Sequence, residues 1–176
     1  MSSYRDLETY CESMFLQSGP YWHIYTPGVE TSVLFGTKED YVFMMNLICQ
    51  AAVDTDGIEI LAFEVMSNHL HMVVSGEKPN AEKLFAFMDK RLRRCAKTLI
   101  CKEIPSSFIA QYKEIDSLQS LRNTIVYVNR NGFVTDRKYT PFSYPWGTGK
   151  YFFNEADFVG VNADLTVNER RFMFRG

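Results

Sequence analysis

Apolar residues recur along this chain with two periods, and the changes of period mark its elements. "YWHIYTPG" (21–28) alternates, is rich in β-formers and stops at Pro27-Gly28, which predicts a strand and a turn. "TKEDYVFMMNLICQAAVD" (37–54) switches to helical spacing. Thr37 stands at its N-cap position, and Glu39 and Asp40 fall in its first turn, where the helix dipole favours them. Asp56-Gly57 marks a turn. "IEILAFEVM" (58–66) and "HLHMVVSG" (69–76) read as two strands joined at a hairpin-like break, Ser67-Asn68. "NAEKLFAFMDKRLRRCAKTL" (80–99) is helical, with Asn80 as cap and Leu84, Phe87, Met88, Leu92, Cys95 and Leu99 as its apolar stripe. "SFIAQYKEI" (107–115) reads as a fourth strand. "DSLQSLRNTIVYVNRNG" (116–132) reads as a helix capped by Asp116 and ended near Gly132. Residues 4–16 fit a short amphipathic helix or a loose arm. From Phe133 onward the chain is loop-like, with the turn signal "PFSYPWGTG" (141–149).

The order is strand, helix, strand, strand, helix, strand, with one helix added after it. This is the split βαβ pattern of a ferredoxin-like α+β sandwich: an antiparallel sheet with helices on one face. In that order the first and third strands are central. We expect one domain over 1–176, with its core at about 21–132 and a C-terminal extension at 133–176.

Composition supports a packed core. Hydrophobic residues make up 46% of the 176 and charged residues 23%, which argues against disorder. The net charge is −2, so attraction to nucleic acid must come from a local patch. Cys11, Cys49, Cys95 and Cys101 form no C-x-x-C pair, which argues against a cysteine metal site. No apolar run is long enough for a membrane span, and "MSSYRDLETYCESM" lacks the apolar core of a signal peptide. The expectation is a reduced cytoplasmic protein.

The chain has three histidines, and two of them, His69 and His71, sit in one strand with Leu70 between. Residues two apart in a strand share a face. Two imidazoles on a rigid strand can hold a divalent cation and leave room for a third ligand, water and substrate. The alternative is a pair on an exposed sheet face. The flanking "LAF" and "MVV" imply a central strand, where such groups are costly unless used. In the helix 116–132, Tyr127 and Asn131 are four apart and so share a face. Asn131 can offer a side-chain oxygen to a hard cation. Tyr127 beside it is placed as a nucleophile towards a metal-bound phosphodiester, although a helical tyrosine is more often simply packed. His23 reads as a structural histidine of the first strand.

These segments together resemble the single-tyrosine HUH transposases, most closely the REP-associated tyrosine transposase branch. His69-Leu70-His71 is the histidine–hydrophobic–histidine motif, within "MSNHLHMVV" where the family reads M-P-N-H-hydrophobic-H. "YVNRNGFV" resembles the family's Y-I-x-x-N-P-V segment, "YPWGTGKYF" its C-terminal Y-x-W-S-S…Y segment, and "YWHIYTPG" its opening strand. The likeness spans roughly residues 21–152 in the right order. It implies His69, His71 and Asn131 as ligands of Mg²⁺ or Mn²⁺ and Tyr127 as the nucleophile. It further implies cleavage of single-stranded, often hairpin-marked DNA through a 5′-phosphotyrosine that frees a 3′-OH. A second end is then rejoined without ATP. Members of the family include monomers and intertwined dimers, so a homodimer is a possible state. The chain departs from the pattern at Ser67 and Gly132, where Pro is usual, and in "TPG", which lacks the usual Arg before Gly.

"DKRLRRCAKTLICK" concentrates Lys90, Arg91, Arg93, Arg94, Lys97 and Lys102 at one helix end and its exit. Such a cluster fits DNA phosphates, or a solvated face whose cations suit the helix C-terminus. Lys113, in the strand before the tyrosine helix, is a further phosphate-binding candidate. Trp22, Trp146 and the tyrosines can stack on unpaired bases, though core packing is the expected role for most. Two other readings compete. A non-catalytic, domesticated module binding single-stranded or hairpin nucleic acid would use the same scaffold, but the aromatic RNA-binding signature of such sheets is absent. A two-histidine phosphoesterase needs a second His-x-Ser/Thr motif, and His23 is followed by Ile24 and Tyr25.

Overall fold

The computed structural model describes residues 4–28, 32–99 and 103–153. Its elements are α1 (Tyr4–Ser18), β1 (Tyr21–Tyr25), α2 (Lys38–Val53), β2 (Ile58–Val65), β3 (Leu70–Gly76), α3 (Lys78–Leu99), β4 (Gln111–Ile115), α4 (Leu118–Asn129), α5 (Asn131–Thr135) and α6 (Gly149–Phe153). The four strands form one sheet in the order β2-β3-β1-β4, and every neighbouring pair is antiparallel. The ferredoxin-like α+β expectation holds, with β1 and β3 at the centre.

Alternation along the central strands divides the core in two. Trp22 and Ile24 of β1 and Leu70, Met72 and Val74 of β3 point to one face. There they meet Met44 and Ile48 of α2 and Leu84, Met88 and Leu92 of α3. Tyr21 and Val73 point to the other face, against Leu121 and Val128 of α4 and Phe15 of α1. The added helix thus covers the second face of the sheet. Residues 4–18 are a helix, not a loose arm. The Phe15 ring stacks on Tyr21 with centroids 4.7 Å apart, and Arg122 of α4 grips the Glu8 carboxylate at 2.7 and 3.3 Å.

Several boundaries differ from the sequence reading. Asn80 lies inside α3, which starts at Lys78, and its amide donates to the Gly57 carbonyl at 3.3 Å. Ser117, not Asp116, caps α4 by accepting from the Ser120 N–H. The fourth strand is only Gln111–Ile115; the residues before it are irregular, and Phe108 among them is fully buried. The α3 stripe is rotated slightly, so Phe85 and Ala96 are buried where Phe87 and Cys95 are only half-buried. Cys101, Lys102, the Leu99 side chain and the extension beyond 153 lie outside the described residues.

The segment expected as loop after Phe133 has two tasks. It forms the short helices α5 and α6, and its "YPWGTG" part runs along the open edge of β2. There Val65 N–H donates to Trp146 O at 2.8 Å and Thr148 N–H to Phe63 O at 2.9 Å, which covers a strand edge otherwise left unpaired. No helix among the described residues is long and apolar enough to cross a membrane.

Helix α2 begins with a complete capping box. The Thr37 hydroxyl accepts from the Asp40 N–H at 3.2 Å, and the Asp40 carboxylate accepts from Thr37 N–H at 3.0 Å. Thr37→Ala is expected to lower stability by about 1 kcal/mol, read as a shift of the denaturant midpoint with unchanged slope.

Candidate active site

The sheet face under α4 gathers all three histidines. β1 pairs with β3 so that His23 stands opposite Val73 and Tyr25 opposite His71. The offset leaves His23 and His71 as diagonal neighbours, and His23 Nε2 lies 3.0 Å from His71 Nδ1 in a buried hydrogen bond. His69, one residue before β3 begins, presents its ring perpendicular to His71 at 5.2 Å between centroids. The expected sharing of a face by His69 and His71 is met by proximity, although His69 itself lies in the turn.

That turn is held tightly. Met66 N–H donates to His69 O at 2.8 Å, which closes the hairpin around Ser67-Asn68. Asn68 then bridges two segments: its amide donates to Gly28 O at 2.7 Å, and its Oδ1 lies 2.7 Å from His69 Nδ1. An amide oxygen only accepts, so His69 carries its proton on Nδ1 and keeps the Nε2 lone pair open. Gly28 completes the fit, because a Cβ there would meet His69 Nδ1 at 2.7 Å.

Burial sets the charge state of the cluster. His71 is pushed down to about 3, first by desolvation and then by His23 and His69. His23 is pushed down to about 4 by desolvation and by Lys113, its cross-strand partner on β4. His69 is also lowered by burial. Neutral imidazole is the form that binds a metal ion; the Asn68 contact leaves the His69 Nε2 lone pair open, and the His23 contact does the same for His71 in the tautomer in which His71 Nδ1–H is the donor.

Tyr127 closes the site from above. Its ring stands on edge over His71 at 5.4 Å and over His23 at 5.9 Å, with interplanar angles of 85° and 77°. It remains 44% exposed, so a polymer can reach it while the imidazoles beneath stay buried.

Asn131 is reached differently from the sequence reading. The helix expected over 116–132 breaks at Arg130: α4 ends at Asn129 and α5 begins at Asn131. The Asn131 amide nitrogen donates to Tyr127 O at 2.9 Å and Val128 O at 3.2 Å, capping the end of α4. Among the described residues these hydrogen bonds run to the end of α4, and none joins its side chain to a histidine. No group of three or more His, Cys, Asp or Glu among the described residues is disposed to hold a metal.

The proposed DNA-binding residues are not brought together. Lys113 lies on the histidine face. α3 packs on the opposite face of the sheet, so Arg91, Arg93, Arg94 and Lys97 are a layer away from Tyr127. Arg93 is engaged within the fold: its guanidinium meets Asp89 at 2.9 Å and donates to Ile104, Pro105 and Phe108 carbonyls. Lys97 pairs with Glu103 at 3.1 Å on the surface. Arg91 lies over the Phe87 ring at 4.6 Å, and Arg94 is exposed.

Two neighbours escaped the sequence reading. His23 reads there as structural, whereas it is bonded to His71. The available signal was the strand order, which makes β1 and β3 neighbours. Glu64 is the other. It lies on β2 opposite His71, is 2% exposed, and accepts from Gly132 N–H at 3.2 Å. Desolvation raises its carboxyl to about 8.

No family model matches this chain, and no curated protein matches it. Among solved structures, a REP-associated tyrosine transposase bound to a REP hairpin is similar over 85% of this chain and 86% of that one, with a TM-score of 0.56 and 13% sequence identity. The chain shares that protein's fold. At this identity the likeness is one of backbone, and the chemistry rests on the side chains described above.

Asn68→Ala should release His69. We expect its Nδ1–H tautomer to give way to a mixture, seen as a change in the pattern of imidazole ¹⁵N–¹H correlations, with a stability loss of about 1–2 kcal/mol.

Proposed function

We propose that this chain cleaves and rejoins single-stranded DNA through a 5′-phosphotyrosine at Tyr127, beside a Mg²⁺ or Mn²⁺ site made by His69, His71 and Asn131. The observation that carries this reading is the exposed Tyr127 ring standing over the buried, hydrogen-bonded imidazoles of His71 and His23, with His69 beside them. The solved transposase of the same fold is bound to a DNA hairpin, which supports single-stranded or hairpin DNA as the partner class.

The residues fit a divalent cation. Two imidazole nitrogens and one amide oxygen form a mixed nitrogen–oxygen donor set, with the remaining positions left to water and phosphate oxygen, which suit Mg²⁺ and Mn²⁺. When bound, such a cation polarises the scissile phosphate and offsets its charge. The chain's residues do the rest. Asn68 and His23 fix the two ligand rings, and the edge contacts hold the Tyr127 ring above them. The Tyr127 oxygen attacks phosphorus, the bond to the 3′-oxygen breaks, and the proton given up by the phenol is taken, through water, by that oxygen, which leaves as a 3′-OH. The new phosphotyrosine bond conserves the phosphodiester energy, so a second 3′-OH can reverse the step. Lys113, on the same sheet face, is placed to meet a backbone phosphate.

Tyr127→Phe tests this reading. Incubation of labelled hairpin-bearing single strands with Mn²⁺ should give a covalent adduct with the unaltered protein and none with the variant, while DNA binding and unfolding stay nearly unchanged. If the unaltered protein forms no adduct on any such strand, the reading fails in favour of a non-catalytic binding module. An adduct that survives in Tyr127→Phe would move the nucleophile to another tyrosine.

The α3 cations allow a separate measurement. Replacing Arg91 and Arg94 together by Ala should weaken DNA binding at every sequence and reduce the salt slope by about 0.7 for each phosphate no longer neutralised. An unchanged slope would confine the DNA to the histidine face, where Lys113→Ala should then have the larger effect.

A further inference from the structure

Glu64 is a buried carboxyl that the chemistry above does not use. We infer that Glu64 is a positioning residue: it anchors the Asn131–Gly132 turn to the histidine-bearing sheet and so sets where the Asn131 side chain can meet a cation. This inference rests on the proposed reading of Asn131.

Geometry supports it from three sides. Glu64 Oε1 accepts from Gly132 N–H at 3.2 Å, while its Oε2 is buried with no hydrogen-bond partner among the described residues. The Gly132 N–H lies in the first turn of α5, where no helical carbonyl satisfies it. The same turn holds Asn131, whose amide closes α4 behind Tyr127. One carboxyl on β2 therefore ties down the junction of the two helices, directly across the strand pair from His71.

The surroundings are shaped to admit the carboxyl. Gly147 lies beside it on the edge of β2, and a Cβ there would come within 3.0 Å of Glu64 Cγ. Gly132 has no Cβ, and the Tyr144 ring occupies the place where one would be. Tyr144 in turn donates its hydroxyl to Val65 O at 2.9 Å, next to Glu64 in the chain. A stabilising role alone would not require the donor to sit on the turn that carries Asn131.

The test compares Glu64→Ala, Glu64→Gln, Asn131→Ala and the Glu64→Ala/Asn131→Ala double variant. The first readout is amide hydrogen exchange without metal. The Gly132 amide should exchange at least tenfold faster in Glu64→Ala, remain protected in Glu64→Gln, and leave β3 amides unchanged. The second is titration with Mn²⁺ alone. Affinity should fall about tenfold in Glu64→Ala, as for loss of a group that orients a ligand, and recover in Glu64→Gln. The double variant should bind no more weakly than Asn131→Ala. Unchanged Gly132 exchange in Glu64→Ala would overturn the inference, as would losses that multiply in the double variant. If the unaltered protein does not bind Mn²⁺, the metal reading of Asn131 fails, and the exchange measurement still decides whether Glu64 is the anchor.

Discussion

The pairing of β1 with β3 is the contact on which the other contacts in this molecule hang. β1 has five residues and is bonded on both sides, to β3 and to β4. Its even positions, Trp22 and Ile24, reach the core under α2 and α3, while its odd positions face α4. A slip of one residue would exchange these faces and bury the wrong set. The same register sets His23 diagonal to His71. Two buried imidazoles would each carry a desolvation cost, and their mutual hydrogen bond offsets part of it. Folding and site assembly therefore share one constraint: the register that packs Ile24 and Met72 also brings the histidines together.

Much of this frame was legible because the sequence signals it locally and repeatedly. Alternation in "YWHIY" and "LHMVV", the Thr37 box and the Ser67-Asn68 break each fix an element without reference to the rest. Ordered along the chain, these elements leave few ways to build a sheet, and the ferredoxin-like order with β1 beside β3 follows. His69, His71 and Tyr127 were legible for the same reason. The strand period turns His71 to that face, His69 joins it from the turn just before β3, and the helix carrying Tyr127 lies over the same face.

What escaped depends on long-range register or on small breaks in regular structure. A bulge at Leu61 shifts β2 by one residue between Ile60 and Ala62. Ile58 and Ile60 face the α2/α3 core before it, and Phe63 and Val65 after it, so the parity changes. Strict alternation would put Glu64 with the isoleucines; the bulge turns it to the histidine face. The break at Arg130 is equally local, and it converts Asn131 from a helix-face residue into a capping one. The basic α3 stretch shows a third kind of gap. Charge clustering is visible in sequence, but the layer it occupies is a property of the whole sheet. Arg93 turns inward to cap carbonyls of the segment before β4, a role that its neighbours in sequence do not announce.

The function proposed above sets opposed demands on this site. Imidazoles that accept a cation must stay neutral, which burial secures by withdrawing water from them. A nucleophile that acts on a polymer must stay open, because a nucleic-acid strand cannot enter a closed cavity. The structure separates the two by depth. His71 and His23 lie in the sheet, 6% and 8% exposed, while Tyr127 stands 44% exposed on the helix above them. Separation by depth requires that the helix not drift, since a ring resting edge-on over imidazoles is held by little more than packing. The far end of that helix is gripped through Arg122 and Glu8. The near end is held instead by the Asn131 cap and by Glu64 through Gly132. Proline at 132 would lack the N–H that Glu64 receives, so glycine and the buried carboxyl depend on each other. The departure of this chain from the proline usual in the family it resembles is thus matched inside the fold, at the joint where the reach of Tyr127 is decided.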